Sequence, residues 1–449
     1  MSRVGIVGGG LLGQALASKL LAAGHQVTVI EAGDAPGGLA RPARMGPYQW
    51  DRFYHVILMS DRHLLELLDT IGLRQELRWG QTRTGFYVDR KLYSLSSNLD
   101  FIRFPPLSIL DKFRLALTIL RASRIGDGRP LESIPVVEWL TRWSGSRVVE
   151  RLWLPLLKSK LGQNYRIASA AFIWAIIARM YAARRSGLKR EMFGYVDGGY
   201  ATILDALERH LTKQGVVWRL GCPVERVTSD EHTVTVRTSD GSAMTFDHVV
   251  LTAPCPVVSR LCPQLREEER ARLDGVVYQG ITCASLLLKR PLADYYVTNI
   301  TDPSIPFTGV IEMTALVDRA RFGGNSLVYL PRYLAQDDDF WHLSDGDVET
   351  RFLDGLKRMY PDFRREDVVA FVVSRVRHVL AVSTLHYTRD ALPPMKTSVP
   401  GVHLINSSQI AQGTLNVNET LALAESGGRA LLAELEAGPR HPAVTGAPA

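Results

Sequence analysis

The chain has 449 residues, too many for one small core and enough for two or three domains. Its 46% hydrophobic and 22% charged residues mark a globular protein, neither fibrous nor disordered. The formal charge of +7, carried mostly by arginine, would suit nucleic acid, an anionic membrane face or an acidic substrate. No nucleic-acid module or aromatic-basic repeat accompanies it, so nucleic acid is set aside as a partner. Cys222, Cys255, Cys262 and Cys283 lie far apart without a Cys-x-x-Cys pair. They read as thiols of a reducing compartment, not as a disulfide framework or a zinc site. The apolar run at the N-terminus is accounted for as a strand, so no signal peptide is read there, and no run is long enough to span a bilayer. The expectation is a cytoplasmic protein, with peripheral attachment to the inner membrane face left open.

Taken in order, residues 3–7 (Arg-Val-Gly-Ile-Val) read as a short buried strand. Gly8, Gly10 and Gly13 then fall in the spacing G-x-G-x-x-G, with Gly9 as an extra glycine. Residues 11–23 read as a helix closed by Gly24, and 27–30 as a second strand that delivers Glu31. Each part has a chemical reason. Gly8 permits a tight turn, Gly10 lets backbone approach a pyrophosphate, and Gly13 lets helix and strand pack closely. The first-turn amides of Leu11 and Leu12 and the helix dipole favour that anion. Glu31 stands where a carboxylate accepts from both hydroxyls of an adenosine ribose, and it would repel a 2′-phosphate. The stretch therefore predicts a dinucleotide site.

Ala32 and then Pro36-Gly37-Gly38-Leu39-Ala40-Arg41 follow. A dinucleotide fingerprint ending in Glu-Ala, followed by Gly-Gly-Leu and a basic residue, resembles the flavin amine oxidase superfamily. Protoporphyrinogen oxidases, phytoene desaturases and, more remotely, UDP-galactopyranose mutases belong to it. The resemblance implies noncovalent FAD, approached by Gly37, Gly38 and Leu39 and held by Arg41. It makes His55, in Asp51-Arg52-Phe53-Tyr54-His55, a candidate flavin-facing catalytic residue; a buried core histidine is the alternative. Residues 86–95 read as a hairpin around Asp89-Arg90-Lys91.

Residues 105–181 are mostly helical, as in the inserted cap that covers the substrate pocket of related flavoenzymes. Residues 168–178 carry no charge and are followed by Arg179, Arg184, Arg185, Lys189 and Arg190. This is either a membrane-interface segment or a buried core helix with a basic end. Lys158 and Lys160 stand where the family has a glycine turn and are taken as candidate substrate contacts, Lys158 also as a candidate catalytic residue. Gly198-Gly199-Tyr200 opens a helix that resembles the return to the FAD domain, and Val224 matches the segment whose backbone contacts adenine. Residues 249–254 resemble the family's apolar strand followed by Ala-x-Pro, with Ala253 at the cofactor.

After the last core strand, at 400–405, related proteins carry an acid; Asn406 stands in its place. Asn416, Asn418, Glu419 and Thr420 then open a helix that keeps Ala-Glu-Ser-Gly and whose N-terminus would face the flavin pyrimidine ring. The fold class implied is α/β, a Rossmann-like FAD domain interleaved with an α+β substrate domain of the p-hydroxybenzoate hydroxylase and amine oxidase type. The FAD domain would comprise 1–95, 196–270 and 385–435, the substrate domain 96–195 and 271–384, with 436–449 a disordered tail. The function implied is oxidation of a C–N or C–C bond of a hydrophobic small molecule by hydride transfer to FAD. Two alternatives stand beside it, an isoprenoid-saturating reductase and a non-redox mutase acting on a sugar nucleotide. For the mutase, Arg166, Arg179, Arg332, Arg375 and Arg377 would clamp a diphosphate. The sequence leaves the oligomeric state open.

Overall fold

Five parallel strands gather from sequence positions far apart. The computed structural model describes residues 1–184, 192–230, 232–411 and 413–437. Arg185, Lys189, Arg190 and nearly all of the expected disordered tail lie outside them. The strands run in the order Val217–Arg219, Gln26–Ile30, Arg3–Val7, His248–Leu251, Val402–Leu404. Both faces are covered, which is why these strands are apolar without alternation. Val4, Ile6, Val27, Val29 and Val250 meet helices Leu11–Ala22, Tyr200–Lys213 and Val417–Ala437. Val7, Ile30, Val249 and Leu251 face the antiparallel meander Val224–Ser229, Val234–Thr238, Ala243–Phe246.

The second sheet has seven strands in the order Val368–Ala381, Tyr278–Leu288, Ser326–Leu334, Gly309–Glu312, Val297–Ile300, Thr84–Val88, Lys91–Ser94. All eleven residues of Tyr278–Leu288 are buried. One face of this sheet packs Ala284, Leu286, Val328 and Leu330 on helix Asp345–Met359. The other packs Ile281, Cys283, Leu287 and Tyr329 on Met45, Trp50, Phe53 and Leu58. The hairpin expected near residue 90 is present. It is joined to this sheet by a parallel pairing of Thr84–Val88 with Val297–Ile300, although its sequence position groups it with the first 95 residues.

The cap has its own core around Trp139, Leu140, Val148, Trp153, Phe172 and Trp174. Helix Ala170–Arg184 supplies Phe172, Ile173, Trp174, Ala175 and Ile177 to it, so the uncharged run 168–178 is a buried core segment. A π-helical turn, Val149–Trp153, precedes helix Leu154–Leu161, whose second residue is Pro155. Proline there has no amide to donate to residue 151, and the wider turn accommodates the missing bond.

The hairpin turn is strained by its residue choice. Asp89 and Arg90 both have positive φ, 50° and 59°, the conformation in which an Asn-Gly pair is most at ease. The double substitution Asp89→Asn, Arg90→Gly is expected to stabilise the protein by about 1 kcal/mol, read as a higher urea midpoint with an unchanged slope.

Candidate functional site

The first strand ends at Gly8, whose φ of 112° turns the chain and whose missing side chain makes room for Thr252 Oγ1, 2.3 Å from where a Cβ would stand. Gly13 lets the helix approach so closely that a Cβ there would lie 2.0 Å from the Gly8 carbonyl. The helix is thus fixed with the amides of Leu11 and Leu12 at its open end. The second glycine pair folds back onto the first. Gly37 N donates to Gly9 O at 2.8 Å, Gly10 and Gly37 form a β-bridge, and a Cβ on Gly38 would meet Gly10 Cα at 3.1 Å. Gly10 itself has φ −64° and ψ 173°, which any residue adopts. A Cβ there would meet nothing nearer than Gly38 Cα at 3.9 Å. The space beside Gly10 is therefore open because nothing protrudes into it.

Glu31 holds this loop from below. Its carboxylate accepts from Gly9 N at 2.7 Å and Gly33 N at 2.8 Å. The loop that leads into Val224 is tied to the same place, since Cys222 N donates to Glu31 O and Gly221 N to Gly33 O. Arg41 pairs with the exposed Asp34 at 2.6 Å, within reach of the same loop. Thr252, which the sequence reading overlooked, donates to Val7 O and Gly8 O. A lone threonine after a strand carries no signal of its own.

At the far end of the chain the polar residues are engaged with the protein. Asn406 is buried; its Nδ2 donates to Ala253 O at 2.8 Å and its Oδ1 accepts from Ser408 N and Oγ. Its side chain joins two strand ends, and its own N–H and C=O are bonded to Gln409. Asn416 caps helix Val417–Ala437 by accepting from Glu419 N, and Thr420 Oγ1 donates to Asn416 O. Asn418 Oδ1 accepts from His63 N and, more weakly, Leu64 N, so it caps the neighbouring helix Arg62–Thr70. Glu419 Oε2 lies 3.0 Å from the position a Cβ on Gly413 would take.

The profile of flavin containing amine oxidoreductases matches residues 13–415. The chain belongs to that family. Its cofactor is FAD, and its members are FAD-dependent enzymes. Over 162 residues the chain is 28% identical to protoporphyrinogen oxidase 2 of Arabidopsis thaliana, and over 168 residues 27% identical to the Nicotiana tabacum protoporphyrinogen oxidase. These alignments cover 34% and 36% of this chain; each spans only 32% of the relative's length. Among solved structures, a protein assigned as protoporphyrinogen oxidase from Exiguobacterium superposes with TM-score 0.76 at 20% identity, covering 96% of this chain and 99% of that one. Reduced UDP-galactopyranose mutase gives 0.74 at 16% identity, covering 97% and 96%. Putrescine oxidase bound to putrescine gives 0.72 at 17% identity, covering 96% and 99%. At these identities the likeness establishes the fold.

The residues fit FAD. The bare gap at Gly10, the amide-rich helix start and Glu31 at the strand end form the cradle that a dinucleotide requires. Beside the second loop, strand Tyr48–Asp51 brings a buried acid. Asp51 Oδ1 accepts from Tyr200 N at 2.7 Å, and Oδ2 stands 3.9 Å from His55 Nδ1. Burial pushes the Asp51 carboxyl up to about 7, against the Tyr200 amide, and pushes the His55 imidazole down to about 4. Between these values the pair holds one proton, with His55 neutral. His55 packs on the Tyr200 ring at 4.8 Å, and its Nδ1 has no hydrogen-bond partner among the described residues. Tyr54 OH and Tyr333 OH lie 2.8 Å apart, joining this segment to the seven-stranded sheet.

Lys158 lies elsewhere, on a cavity of about 330 Å³ between helix Leu154–Leu161 and the sheet. Leu154, Pro155, Ile300, Ile305, Phe307 and Tyr333 line part of it, and Glu150, Lys158, Asp302, Thr308, Arg332 and Asp338 share the lining. The five arginines considered for a diphosphate do not converge. Arg179 pairs with buried Asp61 at 3.1 Å, and Arg375 donates to Asp345 and Leu343 O. Arg332 stacks on Phe340 and Arg377 on Trp341, both on the sheet face away from Tyr54, while Arg166 is bonded to Tyr165 OH.

Two outcomes test this geometry. Gly10→Ala should leave stability within about 1 kcal/mol yet weaken FAD binding at least tenfold, about 1.4 kcal/mol, whereas Gly8→Ala should cost about 2–4 kcal/mol in the apoprotein. Urea unfolding and flavin titration separate the two. The pH dependence has opposed parts. Asp51 binds its proton more tightly when folded, so its contribution is full below about 3.8 and is lost as pH rises to about 7. His55 binds its proton less tightly, so its contribution is full above about 6.5 and is lost as pH falls to about 4. In the apoprotein, Asp51→Asn should therefore grow more stable from pH 4.5 to 6.5 and His55→Gln less stable, each by up to about 1.4 kcal/mol per pH unit. Equal slopes in both variants and wild type would contradict the assignment.

Proposed function

We propose that the protein dehydrogenates a C–N or C–C bond of a largely apolar small molecule. The observation that carries this reading is the cavity under the cap: the apolar part of its wall, Leu154, Pro155, Ile305 and Phe307, leads to Tyr333, whose hydroxyl meets Tyr54, next to His55 and three residues after Asp51. FAD, when bound, supplies the acceptor for the substrate's hydride. Gly10, Gly37, Gly38, Leu11, Leu12 and Glu31 would hold its diphosphate and ribose, and the backbone at Val224 its adenine. Arg41, Ala253 and the backbone around residues 406–420 would support the remainder.

The chain's own part is orientation, exclusion of water and custody of one proton. The apolar wall positions the substrate, and Lys158 at the cavity rim orients a polar group on it without reaching His55. Neutral His55 accepts the proton released as the substrate is oxidised, and above about pH 7, where Asp51 has given up its own proton, the buried carboxylate within 4 Å stabilises the imidazolium so formed. Relatives named as protoporphyrinogen oxidases match the chain, and the apolar part of the lining, Leu154, Pro155, Ile300, Ile305 and Phe307, suits a substrate of that kind better than a sugar nucleotide.

Purified holoprotein titrated anaerobically with protoporphyrinogen, putrescine and UDP-galactopyranose decides between them. Bleaching of the flavin absorbance by the first alone is expected, with His55→Gln slowing it about 100-fold at unchanged flavin content and Lys158→Ala raising KM more than it lowers kcat. Bleaching by putrescine would reassign the substrate to amines. Turnover of the sugar nucleotide only after chemical reduction, with no net oxidation, would replace the proposal by the mutase reading.

A further inference from the structure

The cap carries an outward face that its own core does not use. Among the described residues twelve large apolar side chains stand exposed, and six of them fall between residues 99 and 117. They are Leu99 and Ile102 on helix Asn98–Arg103 and Ile109, Leu110, Phe113 and Leu117 on helix Ile109–Arg124, each between 45% and 85% exposed. On the longer helix they sit at i, i+1, i+4 and i+8, one continuous stripe. The opposite side, Asp111, Leu115, Thr118 and Ala122, is buried toward the cap. Phe104 and Leu107, buried at the connection, fix the two helices side by side, and Lys112 Nζ bridges them by donating to Ile102 O.

The charges around the stripe are sorted by sign. Residues 98–124 hold five bases, Arg103, Lys112, Arg114, Arg121 and Arg124, and all but Lys112 are exposed. Their two acids are turned inward: Asp100 and Asp111 each close a capping box, with Ser97 and Ser108. Within the described residues of these two helices the side chains exposed to solvent are thus apolar or positively charged, apart from small residues, while Asp100 is half-buried and Asp111 buried. Another protein would bury such a stripe against a matched apolar groove with acids at its rim. A bilayer meets the same demand with acyl chains and anionic headgroups, and needs no groove.

We propose that the Asn98–Arg103 and Ile109–Arg124 helices dock the protein on an anionic lipid surface, with Ile109, Leu110, Phe113 and Leu117 entering the headgroup layer and the arginines contacting lipid phosphates. This docking does not depend on which substrate the enzyme oxidises. It does place the cap on the membrane side of the molecule.

The test uses the full-length holoprotein with vesicles of phosphatidylglycerol mixed into phosphatidylcholine, and with pure phosphatidylcholine as the reference. Cosedimentation should be strong with the anionic vesicles, at least tenfold weaker with the neutral ones, and reduced when salt is raised from about 0.1 M to 1 M, where screening shortens to about 3 Å. The double variant Ile109→Ser, Phe113→Ser should lose at least tenfold in vesicle partition while its melting temperature and flavin absorbance stay at wild-type values. Equal partition of variant and wild type would overturn the proposal. So would a wild-type protein that ignores vesicles but forms dimers that the double variant does not form, since the stripe would then join two copies of this chain.

Discussion

The nucleotide half of the molecule depends on the approach of one helix to one strand. With Gly13 lying almost on the Gly8 carbonyl, the helix start is brought to the strand end, and Gly9 is left in position to accept from Gly37 and donate to Glu31. Moving that helix outward by the width of a methyl group would separate the two glycine loops and open the cradle. The same economy of side chains recurs in the closing helix, where Gly427 admits Ile405 and Gly428 admits Leu16 and Lys19. The Lys19–Glu425 ion pair then ties the first and last helices together across that contact. Close backbone packing, more than any charged group, is what shapes the site.

Such packing is legible in a sequence because it is written in local rules. Glycines at fixed spacing, an apolar run too short for a helix, and an acid at a strand end each mean something within a few residues of themselves, so residues 3–41 could be placed closely. What could not be read depends on partners remote in sequence. Asp51 becomes a buried, proton-holding group because the backbone of Tyr200, 149 residues away, closes over it. Asn406 looked like a ligand contact and is instead spent on Ala253, 153 residues away, and Asn418 is spent on the helix at His63. Polar side chains near a predicted site are ambiguous until their competing internal partners are known.

The arginines teach the same point with the opposite sign. On paper Arg332, Arg375 and Arg377 are a cluster. Strand alternation sends them to the face that packs helix Asp345–Met359, where aromatic rings and carbonyls absorb them, while Tyr333 and Val376 go to the face of Tyr54. A net positive charge therefore says little about the substrate here. It says more about the cap, where inward-turned acids leave a rim of bases.

The scattered origin of the parallel sheet has a consequence for how the chain is made. Arg3 pairs with Asp247, 244 positions further along the chain, and one of the sheet's two outer strands begins only at Val402. At ribosomal rates of roughly 5–20 residues per second, the first strand emerges on the order of 10–50 s before its neighbour exists. For that interval Val4 and Ile6 have only the first βαβ unit to hide in, and the edge later occupied by His248–Leu251 is bare. The cap helices and much of the substrate sheet are synthesised before the nucleotide fold can close. The high share of contacts remote in sequence predicts slow, late completion of the FAD domain.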